Sequence, residues 1–76
     1  MGTILAITPA GHVTVRAPGP DAAPEGTRVE EARGAFSGRV VRVFGPVARP
    51  YLSVRPRRAP SPAEALRWIG SDVRRE

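Results

Sequence analysis

Apolar and polar residues along this chain fall into short runs, each closed by a turn-forming residue. Thr3 to Ile7 is apolar and β-branched, and Pro9-Ala10-Gly11 after it reads as a tight turn in which glycine is free to take positive φ. His12-Val13-Thr14-Val15-Arg16 alternates, which puts Val13 and Val15 on the core side. These two segments predict a hairpin. Gly26 to Glu30 is a short strand candidate, and Ala35 to Phe44 is the strongest one. In the latter, Phe36, Gly38 and Val40 share one face while Val41 and Val43 share the other. That strand is therefore either buried on both faces or bulged near Val40-Val41. Pro50 to Arg55 follows, with Leu52 and Val54 on one face and Tyr51, Ser53 and Arg55 on the other. Beyond the basic linker Arg57-Arg58-Ala59-Pro60, Ser61-Pro62-Ala63-Glu64 has the form of a helix start: a serine cap, proline in the first position, glutamate three residues after the cap. Gly70 can end that helix, and Ser71 to Arg74 is a candidate last strand.

Nine prolines and eight glycines account for the shortness of the pieces. Three of the prolines fall within Ala17 to Pro24, which forbids a regular ladder there and predicts a loop whose order the sequence leaves open. Short strands at this spacing predict an all-β fold: one domain over residues 1–76, a small barrel, with room for a short C-terminal helix. A chain of 76 residues has a thin core, and its stability should not exceed roughly 3–5 kcal/mol without help. There is no cysteine and one histidine, which excludes disulfides and thiolate metal sites. A partner is the remaining source of help.

The net charge is +5, and all 12 basic residues are arginines. Arginine offers planar, bidentate cations suited to carboxylate or phosphate at an interface. Arg39, Arg42, Arg55, Arg57 and Arg58 are the candidate RNA-facing set; a solvated arginine-rich face is the equally weighted alternative. The only aromatics are Phe36, Phe44, Tyr51 and Trp68, and both phenylalanines read as core. No nucleophile–base pair or carboxylate pair stands out, and Asp21 and Glu25 fall in loop positions. His12 reads as a surface residue at a strand start. The expectation is a non-enzyme with no cofactor, no metal and no small-molecule substrate. No apolar run approaches the ~20 residues of a membrane span, and the N-terminus lacks the features of a signal peptide. A cytoplasmic protein is expected.

One segment carries more than pattern. In Phe44-Gly45-Pro46-Val47-Ala48-Arg49-Pro50-Tyr51, two prolines stiffen a loop between two strands, so little entropy is lost on binding. Tyr and Arg are residue types that dominate interface energetics. With its flanks, Gly38 to Pro56 resembles the signature stretch of the small accessory subunit of box H/ACA ribonucleoproteins, the family named for glycine–arginine-rich tails. That signature has a Gly-x-Val strand, then Phe-Gly-Pro-Val, two variable positions, Pro-Tyr, and an apolar-x-Val strand; every fixed position is filled here. The likeness extends over about residues 2–56, and the absence of Arg-Gly-Gly repeats matches the tailless archaeal form. A related assembly factor carries a similar domain.

The resemblance implies a six-stranded barrel like the second domain of translation elongation factors. It implies a subunit that binds the pseudouridine synthase of the particle, meets guide RNA mainly indirectly, and promotes turnover in rRNA pseudouridylation. Pro46, Val47, Arg49, Pro50 and Tyr51 are the expected partner contacts. A stand-alone RNA-binding barrel is the other reading. The family's last strand runs Gly-x-x-apolar-Tyr-apolar, whereas Gly70 here is followed by Ser71-Asp72-Val73-Arg74-Arg75-Glu76 with no aromatic. This puts the sixth strand in doubt and offers Trp68 and Ile69 on a helix as substitute core.

Overall fold

The computed structural model describes residues 2–20 and 22–76. Asp21, expected in the proline-rich loop, lies outside the described residues. Six strands form: β1 (Gly2–Ile7), β2 (Val13–Arg16), β3 (Arg28–Glu31), β4 (Ser37–Phe44), β5 (Tyr51–Pro56) and β6 (Asp72–Arg75). One helix, α1 (Pro62–Trp68), lies between β5 and β6. The strands pair antiparallel in the closed order β1-β2-β5-β4-β3-β6, so the all-β barrel stands. Closure matters in a chain this short, because it leaves no unpaired sheet edge.

Alternation sets the inside of the barrel. Ile4, Val13, Val15, Val29, Val40, Leu52, Val54 and Val73 are all fully buried and point inward from the six strands. β6 is formed despite lacking the aromatic. A four-residue strand needs one inward side chain, and Val73 supplies it; Thr3 pairs with Asp72 to close the seam. The helix forms as well as the strand, so the two are not alternatives. Its start is the expected one: the Ser61 hydroxyl accepts from Glu64 N (3.2 Å) and the Glu64 carboxylate accepts from Ser61 N (3.1 Å). Trp68 is buried against Phe36, with ring centroids 4.4 Å apart. Ile69 does not join the core as expected. It caps the helix in an extended conformation and stays 47% exposed.

The β4 ambiguity resolves as a bulge. Pairing with β5 runs Val40↔Val54 and then Arg42↔Ser53, so one extra residue, Val41, sits between. The extra residue reverses the alternation. Val43 now pairs with the buried Leu52, while Arg42 and Phe44 pair with Ser53 and Tyr51 on the outer side. Phe44 is therefore not a core residue. At the two ends of the proline-rich segment, Ala17 and Ala23 are both fully buried. His12 is half-buried rather than freely exposed, and its amide donates to the Thr8 hydroxyl (3.1 Å).

Candidate functional site

The loop between β4 and β5 is built on a row of side chains laid across the outer face of the barrel. Phe44 pairs with Tyr51, and Tyr51 in turn pairs with Arg16 on β2. The two rings stack, with centroids 5.6 Å apart and planes 26° apart. The Arg16 guanidinium lies 5.6 Å from the Tyr51 centroid, and that of Arg42 lies 5.1 Å from the Phe44 centroid. Two cations thus bracket two aromatic faces, an arrangement of attractive cation–π contacts. Arg16 Nε is buried with no hydrogen-bond partner.

Gly45 turns the chain out of this row. Its φ is +87°, a conformation that side chains disfavour, and a Cβ there would stand 2.6 Å from Tyr51 Cδ2. Glycine is required twice over: for the backbone and for the ring that occupies the space. Pro46, Val47 and Arg49 then project into solvent, with Val47 89% exposed, the highest value among the large apolar side chains of the described residues.

Of the five expected contact residues, the structure separates presenters from builders. Pro46, Val47 and Arg49 are exposed and Tyr51 is half-buried. Pro50 is buried, contrary to expectation, and its carbonyl accepts from Ala17 N at 3.0 Å. A proline at the foot of β5 loses nothing by lacking an amide hydrogen, and it pins the loop to the neighbouring segment. Arg16 was missed by sequence reasoning. Its place beside Tyr51 follows from the β2–β5 register, which pairs residues far apart in the chain.

The arginines are not one surface. Arg39, Arg42, Arg55, Arg57 and Arg58 are all exposed. Arg42 belongs to the aromatic row, and Arg58 pairs with Glu64 at 3.7 Å. Arg39, Arg55 and Arg57 line a groove elsewhere on the barrel. Among the described residues, no cluster of three His, Cys, Asp or Glu side chains could hold a metal ion. Among the same residues, no helix is long and apolar enough to cross a membrane.

No protein-family model and no curated protein matches this chain. The case for function rests on the segment and its geometry.

Proposed function

We propose that this barrel is an accessory subunit of a box H/ACA guide-RNA ribonucleoprotein, docking onto the pseudouridine synthase through the loop at 45–50. The observation that carries the reading is the coincidence of two independent features. Every fixed position of the family signature is filled from Gly38 to Val54, and the same stretch folds into a stiff loop that holds an apolar side chain, Val47, almost fully in solvent. Among the signature residues, Phe44, Gly45, Pro50 and Tyr51 build the platform, while Pro46 and Val47 are presented by it, with Arg49 at a variable position beside them. Coupling to turnover means binding one state of the synthase more tightly than another, an effect of typically 1–3 kcal/mol. The subunit itself is non-catalytic in this reading and acts in the cytoplasm, meeting guide RNA chiefly through the assembled particle.

The test is co-elution with an archaeal H/ACA-type pseudouridine synthase on size exclusion. Wild type is expected to co-elute and Val47→Asp to elute free with an unchanged thermal melt. Separate elution of wild type, or full co-elution of Val47→Asp, rejects the proposed interface.

A further inference from the structure

The outer face of β3, β4 and β5 carries a second row that the loop does not use. Arg28 on β3 pairs across the ladder with Arg39 on β4, and Arg39 pairs with Arg55 on β5. Side chains directly opposite on neighbouring strands have Cβ atoms about 5 Å apart, so three like charges stand side by side, a destabilising placement. Arg57, just past β5, adds a fourth; its amide donates to the Ser37 carbonyl at 2.9 Å. All four are exposed and line one groove of about 470 Å³. Glu76 is the one carboxylate lining it. The ion pairs among the described residues, Arg58–Glu64 and Arg74–Glu30, involve none of the four. Gly38 also lines the groove, and a Cβ there would clash with the Arg55 carbonyl oxygen. A glycine at this position thus allows the close approach of β4 to β5 beneath the row.

We infer that this arginine row is a phosphodiester-binding site for single-stranded nucleic acid. A folded chain gains nothing by lining up unpaired cations, whereas a strand of phosphates presents a repeating anion to match them. Guanidinium groups bind phosphate oxygens bidentately. No aromatic side chain lines the groove, so the contact is to the backbone rather than to stacked bases, and it is indifferent to sequence. An acidic peptide added as an extra strand is disfavoured, because the closed barrel offers no free edge. The site shares no residue with the loop at 45–50, so each stands or falls alone. Arg28 joins the set that the sequence suggested, and Arg42 and Arg58 leave it.

The test is fluorescence anisotropy of the full chain with a labelled oligouridylate, titrated with salt. Each single-strand phosphate contact contributes about −0.7 to the slope of log K against log salt. The triple variant Arg28→Gln/Arg39→Gln/Arg55→Gln is expected to flatten the slope by about 2 and to weaken binding about a hundredfold at 0.1 M salt. Its melting temperature should hold or rise, since mutually repelling charges are gone. Arg33→Gln/Arg58→Gln/Arg67→Gln removes the same charge elsewhere and is expected to leave most of the binding intact. No binding by wild type, an unchanged slope in the row variant, or an equal loss in the control overturns the site. So does equal displacement by polyglutamate, which assigns the groove to acidic protein. Inorganic phosphate binding as tightly as the oligonucleotide overturns it too.

Discussion

Replacing Gly45 by alanine tests whether the loop is built as described. Two costs arise. An alanine held at φ +87° is strained by about 1–2 kcal/mol. Its Cβ would also stand 2.6 Å from Tyr51 Cδ2 and 3.2 Å from Cε2, where carbon atoms prefer about 3.5–4.0 Å. The Tyr51 ring must therefore move. Moving it gives up the Phe44 stack, about 0.5–1.5 kcal/mol, and weakens the Arg16 contact, about 0.5–1 kcal/mol. The expected total is about 2–4.5 kcal/mol, a large share of the stability available to a barrel this small. Gly26 supplies the control: φ is +90° and nothing lies within 4 Å of its Cβ, so Gly26→Ala should carry the strain alone, about 1–2 kcal/mol. Urea melts followed by far-UV circular dichroism measure both. In a Tyr51→Ala background the cost of Gly45→Ala should drop to that of Gly26→Ala. If the two glycine variants cost the same in the wild-type background, or if Tyr51→Ala leaves the gap intact, the Tyr51 ring does not fill the space as argued.

Two further predictions concern the frame around the site. Glu31 is 3% exposed, and its Oε1 accepts from Arg33 N (2.7 Å) and Ala35 N (3.1 Å) across the turn between β3 and β4. Glu31→Ala leaves two amides without an acceptor and is expected to cost about 2 kcal/mol in the same melts, with Glu31→Gln costing less. The amide of Ser61, its hydroxyl, and then the charges of Arg58 and Arg67 hold the Glu64 carboxyl below the ordinary glutamate value. A carboxyl whose folded pKa is depressed stabilises above its unfolded pKa and loses that contribution as pH falls through the folded one. The helix start should thus weaken under acid. An NMR titration should place the Glu64 midpoint below that of an unstructured glutamate, and Ser61→Ala should raise it.

Much of this fold was legible in the residues, because each strand carries its own alternation and each turn its own glycine or proline. Val13 and Val15 were placed inward by period alone, Leu52 and Val54 were given a common face that proves to be the buried one, and the capping box at Ser61 and Glu64 needed only local chemistry. What was not legible depended on register between distant strands. The bulge at Val41 moved Phe44 outward, and the β2–β5 pairing delivered Arg16 to Tyr51. Pro50 was misread for a related reason: its burial comes from the segment at Ala17, some thirty residues upstream in the chain. The arginine row likewise emerges only once β3, β4 and β5 are aligned, which is why Arg28 looked like any other charge. At β6, one buried valine was enough to form a strand whose aromatic was missing.

The central claim, that the loop at 45–50 is where the synthase docks, is met most directly by NMR. The isotope-labelled chain would be titrated with the catalytic domain of an archaeal H/ACA-type pseudouridine synthase, and amide shifts followed residue by residue. The account predicts saturable changes centred on Val47, Ala48 and Arg49, spreading to Tyr51 and Arg16, with Arg28, Arg39 and Arg55 unmoved. Saturation with changes centred elsewhere on the barrel, or no change at millimolar synthase, contradicts it.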